Sequence, residues 1–166
     1  MTDTTFTYKR DECTVVIERV FDAPRERVWR TITDPALIPS WWGPEKYPTR
    51  VEEMDVRVGG RWRFISDDGQ GNEMPFSGVY KELDPPARLV QTFNFEPIGP
   101  GHESTETTIL SETEDGKTRM TVTAVYGSLA DYDGTIESGM EGGARETWQR
   151  LADLLSEIQR ERAAVE

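Results

Sequence analysis

Between Tyr47 and Tyr126 the chain breaks into six short segments rich in β-branched and aromatic residues, each bounded by turn chemistry, and an amphipathic helix follows them. The segments cover residues 47–56, 60–66, 73–83, 88–96, 103–113 and 117–126. Gly59-Gly60, Asp67-Asp-Gly-Gln-Gly71, Asp84-Pro-Pro86 and Glu114-Asp-Gly116 supply turns between them. Turns this short join antiparallel neighbours, because a parallel pair needs a crossover of about a dozen residues. The pattern therefore predicts an antiparallel meander. Alternation in Arg61-Trp62-Arg63-Phe64 and in Met120, Val122, Ala124 and Tyr126 gives each strand one dry and one wet face.

The flanking elements complete an α+β pattern. Residues 12–21 read as a first strand, ended by Asp22-Ala-Pro24. Pro24 opens a short helix through Val28, Trp29 and Ile32, since its missing N–H has no intrahelical partner in a first turn. Asp34 is a suitable N-cap for a second short helix over 36–38, with Pro39 as its stop. Trp41 and Trp42 fall in the next loop; adjacent indoles cannot point the same way, so one of them is expected to reach inward. After Tyr126, Ser128-Leu-Ala-Asp131 resembles a helix cap. From Met140 the positions Met140, Ala144, Trp148, Leu151, Leu155 and Ile158 mark one face of a long helix. The expected order is β-α-α-β6-α: a curved antiparallel sheet of about seven strands wrapped around a long C-terminal helix.

One helix is too narrow to cover the concave face of such a sheet, so space can remain between them. Trp62, Phe64, Tyr80, Phe93 and Phe95 from the strands and Trp148 from the helix would line it. The residue types alone fit a filled core equally well.

At 166 residues the chain fits a single domain, 1–166, with a core spanning about 10–160. A net charge of -12 repels nucleic-acid phosphates and anionic lipid, and no basic patch offsets it. The first twelve residues lack the apolar stretch of a signal peptide, and no run approaches the roughly 20 apolar residues that span a bilayer. The only cysteine, Cys13, cannot form an internal disulfide and reads as a buried structural thiol, which fits a cytoplasmic protein.

Chemistry-bearing residues are sparse. His102 is the sole histidine, in an exposed turn after Gly99-Pro-Gly101, so a multi-histidine metal site is excluded. No serine has a nucleophile-elbow context, no glycine run matches a phosphate loop, and no spacing forces a general acid against a general base. No metal, cofactor or catalytic residue is assigned. Were catalysis present, Arg63, Tyr80, His102 and Tyr126 are the side chains able to donate a proton or hydrogen bond, and Arg63 should lie on the face opposite Trp62.

Several motifs carry a family resemblance. They are Val20-Phe-Asp-Ala-Pro-Arg-Glu-Arg-Val-Trp29, Thr33-Asp-Pro35, Trp41-Trp-Gly-Pro44, Val58-Gly-Gly-Arg-Trp-Arg-Phe64, Gly78-Val-Tyr80, Pro86-Ala-Arg-Leu-Val90 and Gly139-Met-Glu-Gly-Gly-Ala-Arg-Glu-Thr-Trp-Gln-Arg-Leu151. In this order they resemble the family named for activators of the 90-kDa heat-shock-protein ATPase, within the START-like, SRPBCC or helix-grip superfamily. The resemblance implies the helix-grip fold and a cavity for an apolar or aromatic small molecule, with Trp41, Trp42, Trp62, Phe64, Tyr80, Phe93, Phe95, Tyr126, Met140, Ala144 and Trp148 as its ligand-binding residues. It also implies two alternatives, a co-chaperone-like regulator of a heat-shock ATPase and a polyketide cyclase or aromatase. Binding without catalysis is the expectation, in a lining that is aromatic with a few hydroxyl groups. Gly139, Gly142 and Gly143 are costly inside the last helix and call for a kink or close contact beside the cavity. Open sheet edges and exposed aromatics make a homodimer a further expectation.

Overall fold

The computed structural model describes residues 3–165; the sequence-derived range 1–166 also includes Met1, Thr2 and Glu166, which lie outside the described residues. The strands are β1 (Thr5–Lys9), β2 (Thr14–Phe21), β3 (Thr49–Met54), β4 (Arg61–Asp67), β5 (Glu73–Asp84), β6 (Arg88–Phe95), β7 (Ser104–Glu112) and β8 (Thr118–Tyr126). Helices α1 (Arg25–Thr33) and α2 (Ile38–Trp41) lie between β2 and β3, and α3 (Leu129–Glu137) and α4 (Met140–Val165) follow β8. All eight strands join one antiparallel sheet in the order β1-β2-β8-β7-β6-β5-β4-β3. Strands β3 to β8 form the expected meander. The β2–β8 pairing, from Thr14↔Val125 to Phe21↔Thr118, brings the first part of the chain back against its last strand. This is the α+β helix-grip arrangement.

The sheet has eight strands where the sequence indicated about seven. The extra one, β1, is exposed at every residue except the half-buried Phe6, so it has no alternation to read. Its anchors come from α4: the Arg145 guanidinium lies 4.8 Å from the Phe6 ring centre, and the Tyr8 hydroxyl donates to the Glu141 carboxylate. Cys13 is half-buried rather than buried, at the turn between β1 and β2 with φ of 50°. The second helix is also displaced. Asp34 does accept the Ala36 N–H at 2.9 Å, but this organises a turn, and the helix proper is α2, with Pro39 in its first turn instead of after its end. A proline is tolerated there because the early N–H groups need no intrahelical acceptor.

Helix α4 binds the sheet by an apolar stripe, Trp148, Leu151 and Leu155, which joins Val15, Phe21 and Val28 in one buried cluster. The Trp148 and Phe21 ring centres are 5.9 Å apart. Its polar flanks grip both sides. Arg145 donates to the Thr4 carbonyl at 2.9 Å, and Gln149 accepts from Arg19 at 3.2 Å. On the other flank Arg150 donates to the Gly43 carbonyl. Gly139 is not inside α4: its φ of 82° ends α3.

Gly78 sets the depth of the central strands. A Cβ there would sit 1.9 Å from the Thr92 carbonyl oxygen and 2.4 Å from Trp62 Nε1, so the Trp62 indole, 1% exposed, packs directly on bare backbone. Neither the carbonyl nor the enclosed ring can retreat without breaking the packing. Gly78→Ala should therefore lower unfolding stability by about 3 kcal/mol, read as a shifted urea midpoint. An unchanged midpoint would contradict this packing.

Candidate functional site

The concave face of the sheet, the chain from α2 to Tyr47, α3 and the N-terminal half of α4 surround a half-open cavity of about 850 Å³. Its wall includes all eleven side chains singled out above: Trp62 and Phe64 on β4, Tyr80 on β5, Phe93 and Phe95 on β6, Tyr126 on β8, Trp41 at the end of α2 and Trp42 just after it, and Met140, Ala144 and Trp148 on α4. Period-2 alternation delivers the strand residues, and a step of four delivers the helical ones.

The two tryptophans do diverge, but both reach inward where one was expected to. Trp41 is buried toward α1, its Nε1 donating to the Thr31 carbonyl at 3.3 Å. Trp42 turns to the sheet, its ring centre 5.0 Å from Phe76, 5.2 Å from Phe64 and 6.5 Å from both Trp62 and Phe93. Offset and edge-on aromatic contacts of this kind add about 1 kcal/mol each beyond area burial. Trp42 thus closes one end of the cavity. Its loop is fastened to α4 by Arg150 and by Glu146, whose carboxylate accepts the Glu45 N–H at 2.8 Å. Gly143 faces the same loop, with open space up to Pro44 Cγ 3.9 Å from where a Cβ would lie, and the position of Gly142 is open. Small residues on this half of the helix leave the cavity its width.

The lining is more polar than expected. Tyr80, Gln91 and Glu106 are direct neighbours across β5, β6 and β7, forming a polar row on the concave face. Gln91 Nε2 donates to Glu106 Oε1 at 3.3 Å. Burial pushes the Glu106 carboxyl up from 4.5 to about 7, and the Gln91 bond pulls it only partly back. The Tyr126 hydroxyl is raised by burial and then by the nearby Glu106 charge. Sequence reasoning missed Glu106 because β7 is Ser-Thr-Glu-Thr-Thr-Ile-Leu-Ser-Glu, which has no clear apolar face. Its alternation with the buried Ser104, Thr108 and Leu110 is the signal that could have found it.

At the rim, His102 Nδ1 lies 2.8 Å from Asp131 Oδ1, linking the chain before β7 to the first turn of α3. That turn carries the expected cap, with Ser128 Oγ accepting the Asp131 N–H at 3.1 Å. Arg63 is outside the cavity, as its strand position dictates: it donates to Glu96 at 2.9 Å and to Glu52 at 2.8 Å. Among the described residues no cluster of three or more His, Cys, Asp or Glu could hold a metal ion. Nor is any described helix long and apolar enough to cross a membrane.

A carboxyl raised on folding ties stability to pH. Between pH 4.5 and about 7 the unfolded chain has released the Glu106 proton while the folded one holds it, so stability present below pH 4.5 is lost as pH rises through 7. The loss is about 3 kcal/mol. Glu106→Gln removes it, so the stability of the variant relative to the parent should rise by that amount from pH 4.5 to 8 in denaturant titrations. A constant difference would show that Glu106 does not titrate this way.

The comparisons with known proteins agree with this architecture. A protein from Arthrobacter aurescens solved in solution superimposes with a TM-score of 0.84 at 26% identity, over 92% of this chain and 91% of that one. A crystal structure from Mycobacterium smegmatis gives 0.82 at 26% identity, over 92% and 96%. One from Chromobacterium violaceum gives 0.76 at 28% identity, over 86% and 96%. No curated protein matches the chain significantly. The family model described as activator of Hsp90 ATPase homolog 1-like protein matches residues 22–156, from the turn before α1 to within α4, and the chain belongs to that family.

Proposed function

We propose that this protein holds a small, predominantly apolar or aromatic ligand in the cavity between the sheet and α4. The observation that carries this reading is the cavity of about 850 Å³ with its aromatic wall. Ligand sites occupy about 300–1,000 Å³ and combine apolar walls with a few polar groups, as here. Removing roughly 200 Å² of apolar ligand surface from water contributes about 5 kcal/mol before entropic costs. The eleven side chains named above are the proposed contacts, and a cytoplasmic location fits a chain with one cysteine.

Two other readings each have one support. Family membership favours regulation of a heat-shock ATPase through the surface, which would appear as altered ATP turnover when the two proteins are mixed. The ionisable groups on the cavity wall, Glu106 and Tyr126 with the His102–Asp131 pair at the rim, favour a cyclase-like enzyme. Holding a ligand ranks first because it requires only the cavity.

The test is native mass spectrometry of the purified protein, with thermal shifts against a panel of apolar and aromatic compounds. At least one should raise the melting midpoint. Ala144→Trp, which puts an indole into the cavity from α4, should weaken that compound at least about tenfold, the loss expected when a ligand's space is filled. Undiminished binding by this variant would move the site elsewhere, and no shift with any compound would remove the reading.

A further inference from the structure

The charged groups around the cavity are all of one kind. Among the described residues two carboxylates, Glu106 and Asp131, border it together with His102, and no lysine or arginine does. Asp131 has a partner in His102 at 2.8 Å. Glu106 has none: its hydrogen bond is with the neutral Gln91, and it forms no ion pair among the described residues. The groups facing it from the neighbouring elements are Gln91 on β6, Ala124 and Tyr126 on β8 and, beyond Gln91, Tyr80 on β5; none is a cation. A carboxylate withdrawn from water without a counter-charge is unfavourable, and a ligand that supplies the charge gains what the empty site lacks.

The aromatic wall suits the same ligand. Ser104 stands opposite Phe93 as Glu106 stands opposite Gln91, so Phe93 is the diagonal neighbour of Glu106. Phe93 in turn lies 5.7 Å from both Trp62 and Phe76 between ring centres. Ring faces attract a cation and stack on an aromatic group. A carboxylate or phosphate ligand would meet repulsion from Glu106 and find no ammonium or guanidinium. The net charge of -12 also favours encounter with cations.

Building on the ligand-holding function proposed above, we infer that the ligand class is an aromatic or hydrocarbon amine, its ammonium group against Glu106 and Gln91 and its apolar part among Phe93, Trp62 and Phe76. Glu106 is the counter-ion, and the aromatic wall supplies the burial.

The test uses three probes of matched shape at pH 8: 1-naphthylmethylamine, 1-naphthalenemethanol and 1-naphthoate, titrated calorimetrically into the full chain and into Glu106→Gln. The amine should bind the parent at least about tenfold more tightly than the alcohol, and the carboxylate most weakly, as expected for a desolvated charge pair. In Glu106→Gln the amine should lose its advantage over the alcohol, and continued binding of the alcohol to the variant reports an intact cavity. If the alcohol binds the parent as tightly as the amine, or the amine survives the substitution, the inference is overturned and the cavity reading stands. If none of the three binds, the inference falls, and the ligand-holding reading falls with it only if the wider compound panel also gives no shift.

Discussion

A helix is about 10 Å across, whereas eight strands spaced about 4.8 Å apart span roughly 34 Å, and this mismatch governs the rest of the molecule. Helix α4 can seal only part of the concave face. It does so over the β2 side, where Trp148, Leu151 and Leu155 meet Val15 and Phe21. The remaining face must be covered by short pieces: α1, α2, the loop of Trp42 and α3. Such pieces cover a surface without filling the volume beneath it. The cavity is thus a consequence of pairing a wide curved sheet with a single long helix.

An enclosed space is destabilising, because its lining lacks partner atoms on one side. The chain meets this in two ways. Trp42 occupies one end, packed edge-on against Phe64 and Phe76, and its loop is tied to α4 by Arg150, which donates to the Gly43 carbonyl. Elsewhere the lining carries polar groups that a bound ligand can engage, with the Tyr80-Gln91-Glu106 row crossing three strands. Stability and ligand holding therefore draw on the same side chains, and Glu106 is where they conflict.

The sequence disclosed what is periodic or punctuated. The hairpins at Asp67 to Gly71 and Glu114 to Gly116, the strand alternation around Trp62 and Phe64, and the four-residue step from Met140 to Trp148 each express local rules, and they bring eleven chosen side chains to one cavity wall. What stayed hidden depends on tertiary contact. Strand β1 pairs with β2 and is held further by Arg145 and Glu141 on α4, which engage Phe6 and Tyr8 from nearly the whole chain away. Pro39 reads as a stop, yet it lies in the first turn of α2, which follows the turn set up by Asp34 and runs to Trp41. Glu106 looked like one more acid in a polar strand. Its exceptional setting follows from register with Gln91 and Ala124, which no single strand reveals.

Helix α4 separates two tasks along its length. Its middle, from Trp148 to Leu155, is buried in the main core, so changes there act on stability first. Its first turns carry Met140, Gly143, Ala144 and Thr147 against the cavity, where small side chains set the width. Substitutions in those turns can reshape the space while the core contacts that hold the helix in place persist. The opposite wall has less freedom, because each strand residue there has cross-strand neighbours on the same face. On physical grounds, ligand size should be tuned through α4 and the Trp42 loop, and ligand charge through the row containing Glu106.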